Sequence, residues 1–124
     1  MAVDAADRWE KNVTRLNSLV MSEGAKYYLF LQPTLGLKGP QSRPKIGSYD
    51  EKLYNITLRR GLRQKIRLLY AELKNRCSKL SFCYDISDKV PPTGSVYHDP
   101  RHHNAKGNKI LASEIWEIIQ KNSN

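Results

Sequence analysis

The sequence alternates helix-forming and strand-forming segments, but only two segments have the composition of a β-strand. The first is 27–32, closed by Pro33, and the second is 80–84. The first is short, rich in aromatic residues and apolar on both faces, which favours a buried parallel strand. Strands that alternate with helices indicate an α/β fold with a parallel sheet. Because a two-stranded sheet leaves both of its edges unpaired, the sequence predicts an incomplete unit.

Three amphipathic helices are predicted around these strands. The first begins at an Asp4 N-cap, ends at Gly24 and carries an apolar stripe along one face. The second runs from about Tyr54 or Leu58 to Arg76, and the third covers 109–121. The residues expected to face the core are Trp9, Val13, Leu16, Val20, Leu62, Ile66, Leu69, Leu73, Leu111, Ile115 and Ile118. Residues 33–50 show no periodicity and are predicted to form a long loop of functional or mobile character.

Length and composition limit the class of protein. The chain has 124 residues, which corresponds to one domain or less. Its composition, with 40% apolar and 27% charged residues, argues against disorder. No apolar stretch is long enough to span a bilayer, and Met1 is followed by Asp4, Asp7 and Arg8 rather than by a leader pattern. We therefore expect a single, incomplete domain over 1–124, no membrane association and a cytoplasmic location.

The two cysteines, Cys77 and Cys83, are too few for a disulfide framework. Because Cys83 lies in an apolar run, we expect it to pack as a small hydrophobic residue and not to form a bridge.

The net charge of +9 comes largely from the segment 59–79. Its basic residues share a helix with an apolar stripe and have few aromatic neighbours for base stacking. A solvated helix face is therefore the expected interpretation. An interaction module that binds nucleic acid or an acidic protein through this face is an alternative.

All three histidines fall in one short segment, His98-Asp99-Pro100-Arg101-His102-His103. It follows the second strand, at the carboxyl end where ligands and catalytic groups collect in open α/β sheets. Asp99 and His102 are three residues apart, so the chain can turn back and the carboxylate can accept a hydrogen bond from the imidazole Nδ1–H. Such a bond leaves Nε2 free to take a proton from a hydroxyl. We therefore expect Asp99 to orient His102 as a general base.

A metal site is a second interpretation of the same segment. Imidazole and carboxylate groups of His98, Asp99, His102 and His103 suit zinc or nickel, although their spacing fits no standard zinc motif. We therefore predict no metal or cofactor and keep this site as an alternative.

The segment from Val96 to Ala112 resembles the carboxyl-terminal signature of SGNH (GDSL-type) ester hydrolases. In that signature Asp-x-x-His is followed by an asparagine, a Gly-Asn pair and an apolar helix, here Asn104, Gly107-Asn108 and the third helix. The resemblance implies a partial flavodoxin-like, three-layer α/β/α unit with two parallel strands and three helices. It also implies Asp99 as the orienting acid and His102 as the base acting on an ester. Gly107 would permit a tight turn, and Asn108 would cap the last helix.

The sequence departs from this family in one major respect. The Gly-Asp-Ser block that carries the serine nucleophile is absent, as are the blocks that supply the oxyanion donors. Two glycine-serine pairs, Gly47-Ser48 and Gly94-Ser95, are expected to be turn residues because neither leads directly from a strand into a helix. The resemblance therefore implies the acid-base portion of an esterase or lipase, inactive alone.

Strand counting also leads to an expectation about assembly. An apolar strand at 27–32 with an unpaired edge, beside a first helix with an incompletely covered stripe, is prone to associate. We expect a homodimer or higher oligomer, unless a chain that carries the missing half completes the sheet.

Overall fold

The computed structural model describes residues 1–35, 37, 45–59, 61–91 and 95–123, with the side chains of 57–59 outside the description. Its elements are, in chain order, α1 Ala2–Ser22, β1 Leu29–Leu31, α2 Tyr49–Arg59, α3 Leu62–Cys77, β2 Cys83–Asp85 and α4 Ala105–Lys121. The expected mixed α/β class, with two parallel strands, is confirmed. Within the described residues the helices number four and not three.

The two strands pair in parallel, with Leu29 opposite Cys83 and Leu31 opposite Asp85. Both are shorter than predicted. β2 loses its first residues because the Leu80 carbonyl accepts the Cys83 N–H at 3.0 Å, which folds that segment into a turn. Leu29–Leu31 is the part of the first predicted strand that has a partner strand beside it.

Side chains on the two faces of the sheet enter separate hydrophobic cores. On one face, α1 and α3 pack around Leu31 with buried Ala6, Leu73 and Cys77. On the other face, residues of α2 and α4 pack with the segment that follows β2, and Phe30 lies against them. The buried residues of this second core are Leu35, Leu53, Tyr54, Ile86, Val90, Val96, Tyr97 and Leu111. Because successive side chains of β1 point to opposite faces of the sheet, helices pack against both faces of the two strands.

The first and last helices begin earlier than predicted. α1 starts at Ala2, so Asp4 lies in its first turn, where it contacts the amino terminus at 3.0 Å. α4 starts at Ala105, and its N-cap is Asn104, whose Oδ1 accepts the Gly107 N–H at 3.1 Å. The predicted cap, Asn108, lies inside the helix instead. A capping side chain must precede the first turn, and Asn104 occupies that position.

The second predicted helix is two helices in the structure. Gly61 adopts a left-handed conformation with φ +60° and is the N-cap of α3, which separates α3 from α2. α2 begins at Tyr49, within the predicted loop, because the Ser48 Oγ accepts the Glu51 N–H at 3.2 Å and caps its first turn. Residues 36 and 38–44 of the predicted loop lie outside the described residues.

Cys77 and Cys83 form a disulfide, contrary to the expectation that Cys83 packs as a free thiol. The bridge joins the last residue of α3 to the first residue of β2, whose Cα atoms lie 5.2 Å apart. The turn at 78–82 brings the two cysteines together, and sequence spacing alone did not reveal that proximity. None of the described helices is long and apolar enough to cross a membrane.

Candidate catalytic dyad

The histidine segment forms a short antiparallel hairpin between β2 and α4. Tyr97 and His103 form its bridge, and the Asn104 N–H donates to the Val96 carbonyl at 2.9 Å. At the tip, the His98 N–H donates to the His102 carbonyl at 2.8 Å. The tip is therefore a closed turn of fixed shape.

Asp99 and His102 are in direct contact within this turn, as the sequence predicted. His102 Nδ1 lies 2.6 Å from Asp99 Oδ2, while Asp99 Oδ1 accepts the backbone N–H groups of Arg101 and His102, both at 2.9 Å. The Arg101 N–H first, and then the His102 ring, lower the pKa of Asp99 to about 2.

These contacts define the state of the imidazole. Because the Asp99 carboxylate is ionised at neutral pH and can only accept, Nδ1 of His102 is the donor. The neutral imidazole then carries its lone pair on Nε2. The His102 side chain is 74% exposed, so this nitrogen is open to a reactant.

The turn is fixed to the carboxyl end of β1. The Pro100 carbonyl accepts both the Thr34 hydroxyl and the Leu35 N–H, each at 2.9 Å. The Tyr49 hydroxyl at the start of α2 donates to the His98 carbonyl at 3.0 Å. The dyad thus lies at the carboxyl end of the parallel strands, where ligands bind in open α/β sheets.

The base of the hairpin is fixed to α4. The Asn104 side chain caps the helix and also donates to the Ser95 carbonyl at 2.6 Å. Gly107 lies against the hairpin so closely that a Cβ there would fall within 3.0 Å of the Val96 carbonyl oxygen and of the His103 Cβ. The glycine is therefore required for close packing and not, as expected, for a turn.

Asp50 is a buried carboxylate behind the hairpin. Its side chain is 1% exposed, and within the described residues neither oxygen has a hydrogen bond of normal geometry. Burial raises its pKa, opposed by the nearby backbone N–H groups of Ser95 and Val96. The carboxylate thus faces the first residues of the hairpin, whose amides offset only part of the cost of burying its charge.

The remaining histidines do not join Asp99 and His102 in a metal cluster. His103 packs its ring on Tyr97 with centroids 4.7 Å apart, and burial, followed by the charge of His102, lowers its pKa. Its Nε2 is buried without a hydrogen-bond partner. Across the described ranges, no group of three or more His, Cys, Asp or Glu side chains is arranged to hold a metal ion.

The glycine-serine pairs do not supply a nucleophile to His102. The Ser48 hydroxyl is engaged as the cap of α2. Ser95 is exposed and has a positive φ of 51°, and its carbonyl is held by Asn104. In the part of the chain that the structure describes, no hydroxyl or thiol hydrogen-bonds to His102 Nε2. Gly94 lies outside that part.

Three side chains of the basic segment make intramolecular contacts that the structure describes. Arg76 binds Asp7 and Glu10 of α1, and Lys74 lies 3.4 Å from Asp85. The Arg63 guanidinium stacks over the Tyr54 ring at 4.9 Å. Lys65, Arg67 and Lys79 are exposed, whereas Arg60 and the Arg59 side chain lie outside the described residues.

Sequence reasoning did not identify Thr34, Tyr49 or Asp50 as contacts of the hairpin. A signal existed for the last two, because Ser48 and Glu51 form the Ser-x-x-Glu pattern of a capping box and would have set the start of α2. No local pattern marks Thr34, which meets Pro100 only through the tertiary fold.

Comparison of the chain with protein-family models, with curated proteins and with solved structures finds no match.

Proposed function

We propose that this chain provides the acid and the base of an SGNH-type ester hydrolase, with Asp99 orienting His102. The serine nucleophile and the oxyanion donors come from another polypeptide segment. The ester substrate binds at the carboxyl end of the strands once that segment is present.

One observation supports this proposal above the others, namely the 2.6 Å contact between His102 Nδ1 and Asp99 Oδ2 in an exposed turn. In a catalytic triad, this bond holds the tautomer and supports the positive charge that forms when Nε2 takes the proton of a serine. Two backbone N–H groups occupy the other carboxylate oxygen, so that oxygen cannot compete for the ring.

The chemistry would proceed in two stages once a serine lies beside Nε2. His102 would take the hydroxyl proton as the oxygen attacks the ester carbonyl, and would return it to the departing alcohol. Water would then release the acyl group by the same route. Without donors for the oxyanion, the base alone gives little acceleration.

The alternative functions have less support. A metal site would need converging ligands, whereas His103 packs against Tyr97 and Asp99 is already used by three hydrogen bonds. Nucleic-acid binding through 59–79 would depend on exposed Lys65, Arg67 and Lys79, because Lys74 and Arg76 contact carboxylates.

The first test is the tautomer of His102. Long-range 1H–15N NMR spectra of the neutral imidazoles should show Nδ1 of His102 protonated and Nε2 unprotonated. The Asp99→Asn variant should lose this preference, because a neutral amide can also donate and no longer fixes the ring. His98 in the same turn is the internal control, since within the described residues its ring has no carboxylate partner.

The second test is reactivity. The activated ester p-nitrophenyl acetate should acetylate His102 faster than His98, as measured by mass spectrometry of peptides, and Asp99→Asn should reduce the difference. Equal labelling of the two histidines, or an Nε2-protonated His102, would contradict the proposed role.

A further inference from the structure

The outer side of β1 is an open hydrogen-bonding edge. The Leu29 N–H donates to the Phe82 carbonyl, and the Leu31 carbonyl accepts the Ile86 N–H. The backbone N–H and C=O groups of Leu29 and Leu31 therefore point toward the β2 side. Because successive peptide groups alternate in direction, the N–H and C=O of Phe30 point away from β2. Within the described ranges, neither group has a backbone partner on that side.

The outer side of β2 is more protected. The Cys83 N–H, which points away from β1, is used by the Leu80 carbonyl. Asp85 places a charged side chain at the same edge, paired with Lys74. A charge and a turn are common means of blocking an edge, and β1 has neither between Leu29 and Leu31.

Helix α1 lies on the open side of β1. Arg76 of α3 contacts Asp7 and Glu10 of α1, whereas Lys74 contacts Asp85 of β2. Two residues along a helix point about 200° apart, so α1 and the outer edge of β2 lie on opposite flanks of α3. Packed helices are about 8–10 Å apart and paired strands about 4.8 Å. The axis of α1 therefore lies beyond β1, above the position of a missing strand.

The face of α1 that overhangs this position is apolar. Around α1, the side toward α3 carries Glu10, and the side toward the core carries Val13. Continuing in the same direction, at about 100° per residue, the next position is Leu16, about 120° around the helix from Glu10. Its side chain is 48% exposed. An open strand edge and an exposed apolar helix face thus border one slot, which we call the α1–β1 slot.

A second intact copy does not fit this slot. Pairing two β1 edges about 4.8 Å apart would bring the α1 of one copy over the sheet of the other, where a helix already packs. A strand without a helix of its own on that side avoids the collision. Of the two assemblies expected from the sequence, the geometry thus favours completion by a different chain.

We infer that the α1–β1 slot binds an apolar β-strand of another polypeptide, running parallel to β1. The parallel direction of this strand rests on the proposed function. The dyad turn is held at the carboxyl end of β1 through Thr34 and Pro100. A parallel neighbour delivers its own following loop to the same end, where a hydroxyl could meet His102 Nε2.

The probe for this slot is an acetylated peptide with the sequence of residues 26–33, an apolar strand freed from its helices. Added to the 15N-labelled chain, it should shift the Phe30 amide and slow its hydrogen exchange, which should be fast in the free chain. Leu16→Glu should weaken binding about tenfold, because it places a charge in the slot. Ile46→Glu, at an 82% exposed position outside the slot, is the matched control and should bind normally.

A nitroxide at the carboxyl end of the peptide measures its direction. A parallel strand should broaden the signals of Thr34 and His102, whereas an antiparallel strand would broaden those of Lys26 and Tyr27 and overturn the link to the dyad. The absence of any change at Phe30, or equal binding to Leu16→Glu, would refute the slot itself. So would a stable dimer of the chain in light scattering with Phe30 protected. His102→Ala should bind the peptide normally, so failure of the slot and failure of the ester chemistry are separable.

Discussion

Replacing Gly107 by alanine tests the packing that holds the hairpin of the dyad against α4. Gly107 is buried in the first turn of α4 and has an ordinary helical backbone. If no neighbour were close, alanine would be favourable here, because it stabilises a helix by about 1 kcal/mol relative to glycine. The structure predicts the opposite sign.

The magnitude follows from the nature of the obstacles. The added Cβ would meet the Val96 carbonyl oxygen and the His103 Cβ within 3.0 Å, and both are backbone or rigidly attached atoms that cannot rotate away. Overpacking of this kind costs about 1–3 kcal/mol, and rigid neighbours favour the upper end. After the gain in helix propensity, we expect Gly107→Ala to lower the free energy of unfolding by about 2 kcal/mol. For a domain of this size, that corresponds to a fall in Tm of roughly 8 °C.

Urea unfolding followed by circular dichroism measures this change, with Lys109→Ala in the next turn of α4 as the control. The control removes an exposed side chain and should change stability by less than about 0.5 kcal/mol. Because the hairpin must move to admit the methyl group, the NMR signals of Asp99 and His102 should shift in Gly107→Ala. Unchanged or increased stability of this variant would refute the close approach of α4 to the hairpin.

Three further predictions concern charge, the disulfide and activity. Burial raises the pKa of Asp50 above 3.8, so its contribution to stability is present at lower pH and lost as the pH rises through the folded-state pKa. Asp50→Asn should therefore stabilise the protein at pH 7 by about 1 kcal/mol in thermal melts, and the gain should shrink below pH 3.8; an equal gain at both pH values would contradict this cause. Reducing the Cys77–Cys83 bridge should cost about 2 kcal/mol in urea unfolding, since it closes a short loop. A double serine variant should not respond to the reductant, and an identical midpoint with and without reductant in the natural chain would argue against the bridge. Finally, the isolated chain should hydrolyse the unactivated ester ethyl butyrate no faster than the His102→Ala variant does. If the chain instead turned this ester over rapidly and the substitution abolished that activity, a serine of this chain, such as Ser95, would be the nucleophile.

The dyad could be predicted from the sequence because its parts are local. Asp99 and His102 lie in one turn, and the proline between them favours the extended conformation that allows the chain to turn back. The contacts that fix the turn could not be predicted, because Thr34 and Tyr49 are distant in the sequence and meet it only when the helices pack. The disulfide was missed for a related reason, since the turn that joins its cysteines lies inside a segment with the composition of a strand.

The sequence by itself determined the α/β class and the parallel pairing of two strands. Apolar periodicity on the helical segments and two short apolar strands favour this arrangement, because strands that alternate with helices pair in parallel. The tertiary structure decided which edge is open and where the dyad points. Those properties depend on the ion pairs that set α1 on one flank of α3, and on the hydrogen bonds of Pro100 to the end of β1. Both join residues far apart in the chain, and no local pattern encodes their meeting.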